Sequence, residues 1–163
     1  MQNYVEKLKP NVGDVWRADE LWLKIKGDVK YLFALMDDES RFCIGQDVAD
    51  TNYMHDAQNL FHKGKQIMNK KPSILIIDGL RSYHDTFNNE FYTNMKPRTE
   101  YVNIIRMSGD MIDNKMERLN DEIRDREKVM RNLKIKDTLI LTGYHIYHEY
   151  IREHQGLDNK TLC

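Results

Sequence analysis

Two carboxylates of this chain stand where a β-sheet would present them. Asp78 follows the apolar run Ile74-Leu75-Ile76-Ile77 and precedes Gly79, and Asp19 opens the alternating stretch Asp19 to Lys26. A carboxylate at the end of a buried strand is costly to desolvate unless a cation sits beside it. Gly79 lets the chain turn without a side chain crowding that acid. A third acid would complete such a group, and the charged stretch further on offers several: Asp110, Asp113, Glu117, Asp121, Glu122, Asp125 and Glu127. Glu117 stands out because it adjoins Met116, at the edge of an apolar stripe. Three carboxylates form a hard oxygen donor set suited to Mg²⁺ or Mn²⁺. Two such ions about 3.5–4 Å apart activate an attacking oxygen and stabilise the leaving one during in-line phosphoryl displacement, with Asp78 the natural bridging ligand. Taken singly, Asp19 is equally a turn residue, Asp78 a strand-end acid and Glu117 a solvated charge, because surface acids are common.

The elements that must position these acids are legible in outline. Residues 1–14, with Pro10 and Gly13, form a lead-in, and residues 15–163 a single domain. Leu21, Leu23 and Ile25 alternate with Trp22, Lys24 and Lys26, the period of a half-buried strand. Gly27-Asp28 reads as a two-residue hairpin turn. Val29 to Met36 is almost wholly apolar, as for a strand covered on both faces, and Arg41 to Val48 is a third strand. Asp50 or Thr51 is expected to cap a helix carrying Tyr53, Ala57, Leu60, Phe61 and Ile67 on one stripe, ended by Pro72. Ser73 to Asp78 is a fourth strand, Ser82 to Tyr92 a short helix and the run from Arg98 to Met107 a fifth strand. Ile112, Met116, Leu119, Ile123, Met130 and Leu133 mark a long amphipathic helix, and Thr138 to His154 a last one. Three consecutive strands make an antiparallel meander. The fourth, reached through a helix, joins in parallel by a crossover. The expectation is an α/β fold, a mixed five-stranded sheet flanked by helices, with the start of strand one beside the end of strand four.

At these acids the chain resembles a known family. "VWRADELWLKIKGDVKYLFALMDDESRF" resembles the first-acid segment of DDE-type insertion-sequence transposases, an acid, a hairpin and a D-x-x-S-R turn. "ILIIDGLRSYHDTF" resembles their second segment, and "DNKMERLNDEIRDREKVMRNLK" their third. "YHEYIREHQGLDNKT" resembles their closing motif. The segments run in the family's order across nearly the whole chain. The resemblance implies an RNase H-like, integrase-type catalytic core with Asp19, Asp78 and Glu117 as the metal-binding triad and two Mg²⁺ or Mn²⁺ ions as cofactors. It implies DNA as partner, both transposon ends and target, and a homo-oligomer when assembled on DNA. The activity implied is strand cleavage and strand transfer. Relatives carry a DNA-binding module before the first acid, and their closing proline is Leu162 here, so the chain reads as a copy shortened at both ends. An inactive remnant that only binds DNA or full-length copies, and a purely hydrolytic nuclease, are the alternatives.

The remaining composition narrows the partners. With 25 basic and 26 acidic residues the net charge is −1, so DNA must be met by a local patch. Arg124 and Lys128 on the third-segment helix, and Lys70 and Lys71 at the end of the first, are the candidate phosphate contacts; a solvated helix face with i,i+4 ion pairs is the plainer reading for the lysines at the end of the first helix, and DNA contact the favoured one for Arg124 and Lys128. Cys43 and Cys163 have no metal-ligand spacing. His145 and His148 in "HIYH" would need zinc-binding partners that the local sequence does not supply. Tyr144, Tyr147 and Tyr150 read as helix packing rather than as a nucleophile. The longest apolar run, Tyr31 to Met36, is too short to span a bilayer, and a cytoplasmic, nucleoid-associated protein is expected.

Overall fold

A computed structural model describes residues 12–77, 81–104, 114–129, 139–154 and 158–162. Five strands, β1 (Val15–Ile25), β2 (Asp28–Asp37), β3 (Cys43–Ala49), β4 (Ile74–Ile77) and β5 (Glu100–Asn103), form one sheet in the order β3-β2-β1-β4-β5. Among the described residues four helices flank it: α1 (Met54–Met68), α2 (Arg81–Glu90), α3 (Asn114–Val129) and α4 (Leu139–Tyr150). β1, β2 and β3 are antiparallel neighbours, and β4 and β5 add in parallel on the far side of β1. This is the mixed five-stranded sheet expected from the order of elements, in the α/β class that the resemblance also implied.

The pleat of β1 and β2 divides the core in two. Trp16, Ala18, Phe33 and Leu35 face Leu60, Phe61, Tyr83, Phe87 and Phe91 from α1, α2 and the residue after α2. Leu21, Leu23, Ile25, Leu32, Ala34 and Met36 face Met116, Leu119 and Ile123 of α3 and Leu141 of α4. Both faces of β2 are therefore covered from Leu32 to Met36, while Val29 at its start is exposed. Burial of each large side chain contributes about 1.5–3 kcal/mol. The aromatic half interlocks further through a Phe61–Tyr83 stack at 5.7 Å and an edge contact of Phe33 with Tyr83 at 6.0 Å.

Several element boundaries differ from the sequence expectation, each for a local reason. The hairpin turn is Lys26-Gly27 rather than Gly27-Asp28, since Ile25 pairs with Asp28. Both turn residues have positive φ, 56° and 94°, the type I′ geometry that suits strand twist, with glycine taking the second position. β3 starts at Cys43, because Arg41 sits at φ 65° and closes the preceding turn. That turn is the D-x-x-S-R segment: Ser40 N–H donates to Asp37 Oδ2 at 2.8 Å, and Arg41 N–H to the Asp37 carbonyl at 3.0 Å. α1 starts after Tyr53, and Thr51 instead donates to the Asp56 carboxylate.

The α1 stripe also shifts. Tyr53 and Ile67 are exposed, and Ala57, Leu60, Phe61 and Gly64 are buried. A Cβ on Gly64 would lie 2.5 Å from Leu35 Cδ2, so a glycine completes the stripe by letting the helix approach β2. The helix ends at Met68 with Asn69 left-handed at φ 50°, three residues before Pro72. α4 ends at Tyr150, four residues short of the expected His154. There Ile151 and Arg152 N–H groups both donate to the Tyr147 carbonyl, and His154 forms an isolated bridge with Lys160.

Candidate active site

Asp19 does not open its strand. β1 begins four residues earlier, at Val15, so the acid lies inside the strand, opposite Ala34 of β2. It falls on the same parity as Leu21 and so faces α3. The side chain is buried, at 5% exposure. Its Oδ1 accepts the Glu20 N–H at 2.9 Å and its Oδ2 accepts the Asn120 side-chain amide at 2.7 Å. A strand carboxylate is thus fixed by a helix amide 101 residues away.

The neighbour of β1 on the other side is parallel, so the expected meeting of one strand's start with another's end is replaced by a matched register. Ala18 pairs with Ile77, and these residues immediately precede the two acids Asp19 and Asp78. Asp78 itself lies outside the described residues.

Glu117 occupies the first turn of α3 and is exposed. Met116, Leu119 and Ile123 are buried against the sheet, and Asn120 is buried at the edge of that face. Residues three apart on a helix are surface neighbours, with Cβ atoms about 5–6 Å apart. The Asn120–Asp19 hydrogen bond therefore brings the turn that carries Glu117 to the β1 acid. An acid in a first helical turn is also favoured by the exposed N–H groups there, which is the plainer role for Glu117.

The basic candidates divide. Arg124 and Lys128 lie seven and eleven residues after Glu117, close to the same angular position on a helix. Both are exposed, with Arg124 3.9 Å from Asp121 and Lys128 3.3 Å from Asp125. Lys70 instead donates to Asp14 Oδ1 at 2.9 Å and to the Val12 carbonyl. Its partner Asp14 precedes β1 and lies five residues upstream of Asp19, or roughly 16 Å of extended chain. Lys71 is exposed.

Two polar groupings were not legible locally. In the first, Glu122 of α3 receives hydrogen bonds from Tyr144 and Arg152, and His148 Nε2 lies 3.8 Å away. Burial pushes the Glu122 carboxyl up, but the hydrogen bonds from Tyr144 and Arg152 and the positive charge of Arg152 outweigh it and hold the group below its usual range. This links the closing motif to the third-acid helix and gives Tyr144 a hydrogen-bonding role. Tyr150 packs edge-on against Phe42 at 6.2 Å.

In the second, Cys43 at the start of β3 meets His145 and Glu149, one turn apart on α4. Their ligand-type atoms all lie within 4.8 Å of one another. The β3 ladder is irregular here, between Leu35 and Met36, and the Cys43 N–H donates to Glu149 Oε1 at 2.9 Å.

Asn120 is the site residue that sequence reasoning passed over. The only signal was its position, three residues after Glu117 and on the sheet-facing side of an otherwise charged run.

Comparison with known proteins agrees with this architecture. A family model described as a DDE domain matches residues 13–154. No curated protein sequence matches significantly. Among solved structures, the chain is similar to a protein of the simian T-cell lymphotropic virus intasome solved in complex with PP2A regulatory subunit B56 gamma, with 12% identity and TM-score 0.69. That match covers 95% of this chain and 55% of the other, so the chain spans about half of that relative's length. It is also similar to the HTLV-2 integrase catalytic core domain in its trimeric form with magnesium, at 12% identity and TM-score 0.66, covering 94% and 97% of the two chains. The catalytic core domain of BIV integrase matches at 10% identity and TM-score 0.65, covering 92% and 91%. At such identities the likeness is one of fold. Together with the family match over most of its length, it identifies this chain as a member of the DDE domain family, built on the RNase H-like fold of integrase catalytic cores.

Proposed function

We propose that this chain is the catalytic core of a metal-dependent polynucleotidyl transferase that cleaves a DNA strand at a transposon end and joins the released 3′-hydroxyl to target DNA. Asp19, Asp78 and Glu117 are the carboxylates that hold its divalent ions. The observation that carries the reading is the Asn120–Asp19 hydrogen bond. It ties the first acid to the helix turn of the third, while the register of β1 and β4 aligns the residues before the first and second. The donor set suits the cofactor: Asp19 is a buried carboxylate with a fixed orientation, and carboxylate oxygens match the preference of Mg²⁺ or Mn²⁺. When bound, the two ions supply charge stabilisation to the attacking and leaving oxygens of an in-line displacement.

The chain's own residues do the rest. Asn120 orients Asp19, and the apolar α3–β1 contact sets the distance between helix and sheet. Arg124 and Lys128, on the stripe that starts at Glu117, meet phosphates of the DNA and fix its position. The HTLV-2 integrase core similar to this chain was solved in complex with magnesium, which supports the choice of cofactor. Oligomerisation on DNA follows from the need to hold two ends at one target.

The test is a strand-transfer assay with labelled end DNA and a supercoiled target in Mg²⁺ or Mn²⁺. The wild-type chain yields joined products. Asp19→Asn, Asp78→Asn and Glu117→Gln each lose cleavage and joining together. Full activity in the Asp78→Asn protein would remove the triad from the mechanism. Nicked DNA without joined product would assign the chain to hydrolysis alone.

A further inference from the structure

Outside the acid site, the chain holds a second set of metal-ligating atoms. We propose that Cys43, His145 and Glu149 bind a zinc-type divalent ion that clamps α4 onto the edge strand β3. Three observations carry this. The first is convergence. The thiol of Cys43, a ring nitrogen of His145 and a carboxylate oxygen of Glu149 come from two elements 102 residues apart in sequence and lie within 4.8 Å of one another. Around a tetrahedral zinc with Zn–S of about 2.3 Å and Zn–N or Zn–O of about 2.0–2.1 Å, ligand atoms stand about 3.3–3.6 Å apart. The three groups need to close by up to about 1.5 Å, which is a side-chain adjustment.

The second observation is an unmet need. Glu149 is fully buried, at 0% exposure, and its Oε2 has no hydrogen-bond partner among the described residues. A buried carboxylate oxygen left bare is costly, and a coordinated cation removes that cost.

The third is ligand preorganisation. Glu149 Oε1 accepts the Cys43 N–H at 2.9 Å and lies 3.3 Å from His148 Nδ1. One carboxylate oxygen is therefore held while the other stays available, the arrangement of outer groups that orients metal ligands.

The ligand set chooses the metal. Thiolate and imidazole favour zinc-like ions, whereas an all-carboxylate triad favours Mg²⁺ or Mn²⁺. Cys43 pairs with Met36 two strands away from β1, on the side of the sheet that α3 and α4 cover. The clamp thus lies roughly 10 Å across the sheet from β1, distinct from Asp19. Its role is structural: it fixes the helix whose Tyr144 and His148 face Glu122 of α3.

The experiment is a Co²⁺ titration of the full chain in millimolar Mg²⁺, with a non-thiol reductant. One equivalent should give the thiolate-to-cobalt charge-transfer band in the near ultraviolet and strong tetrahedral d–d bands. Zn²⁺ should bleach both. The band should persist in Cys163→Ser, vanish in Cys43→Ser and weaken at least tenfold in affinity in His145→Ala. His145 is only half-buried, so that variant tests the site even where loss of Cys43 impairs folding. Zn²⁺ at about a hundred times its Kd should raise the wild-type Tm by about 5–10 °C and leave the Tm of His145→Ala within 1–2 °C of its metal-free value (about the assay's resolution). No charge-transfer band, a band that survives Cys43→Ser, or an equal Tm response in both proteins would overturn the proposal. These readouts do not depend on DNA cleavage, so they stand or fall apart from the acid triad.

Discussion

Replacing Asn120 with aspartate changes the site by one atom type and almost no volume. In the wild-type chain the Asn120 amide donates to Asp19 Oδ2 at 2.7 Å, with both side chains buried. The substitution sets a second carboxylate against the first. Two unit charges about 3 Å apart at an effective dielectric near 20 repel by about 5.5 kcal/mol. The alternative is to hold one proton on the pair. From an unfolded aspartate value near 3.9, that takes about 4 kcal/mol at pH 7. The cheaper route wins, so Asn120→Asp should destabilise the fold by about 4 kcal/mol at neutral pH, a Tm loss of about 8–16 °C for a chain of this size.

The pH dependence carries the diagnosis. The pair's proton is bound more tightly in the folded than in the unfolded state. The penalty is therefore absent below about pH 3.9, where the unfolded chain is protonated too, and grows by about 1.4 kcal/mol per pH unit above it. Thermal or urea unfolding of both proteins at pH 4, 5.5 and 7 measures this directly. A deficit below about 1 kcal/mol at pH 7, or one equally large at pH 4, would refute the buried Asn120–Asp19 contact and with it the link between the β1 acid and α3.

Four further outcomes follow from the structure. Arg124→Glu with Lys128→Glu should weaken binding of duplex DNA and reduce the slope of log affinity against log salt by about 2, measured by fluorescence anisotropy; an unchanged slope would take α3 off the DNA. Gly64→Ala should lower stability by about 1 kcal/mol in urea unfolding, because crowding of the fully buried Leu35 at about 1–3 kcal/mol exceeds the roughly 1 kcal/mol helix gain of alanine; a more stable variant would contradict the close α1–β2 approach. The Glu122 carboxyl is held below its ordinary range, so its stabilisation is present above the unfolded value near 4.3 and lost as pH falls through the folded one. Arg152→Gln should therefore unfold more easily than wild type at pH 7, with the gap closing towards pH 3, and a gap that widens in acid would refute the ion pair. Purified protein stripped by a strong chelator should lose Tm in the wild type but not in Cys43→Ser, as followed by circular dichroism.

How much was legible beforehand depended on how local the signal was. The five strands and both faces of β2 were readable because side chains alternate along a strand, and the run from Val29 to Met36 left no polar face. The α1 stripe was misplaced by one position at each end. Tyr53 and Ile67 are as apolar as their buried neighbours, and Gly64 carries no side chain to mark its place on the buried face. Its role appears only when Leu35 of β2 arrives across from it. The end of α4 was also overrun, since no proline or glycine marks Tyr150.

By itself, the sequence determined the order of elements, the parallel addition of the fourth strand and the place of Asp19 on the first strand. The order of elements and the parallel strand follow from hydrophobic period and connection length, which are properties of neighbouring residues. Tertiary structure alone decided which distant groups touch. Asn120 reaches Asp19 only because the α3 apolar face seats that helix turn on β1. Cys43 meets His145 and Glu149 only because β3 forms the sheet edge against which α4 packs. Residues a hundred positions apart have no shared period to reveal them; their contact is a consequence of burying two apolar faces on one sheet.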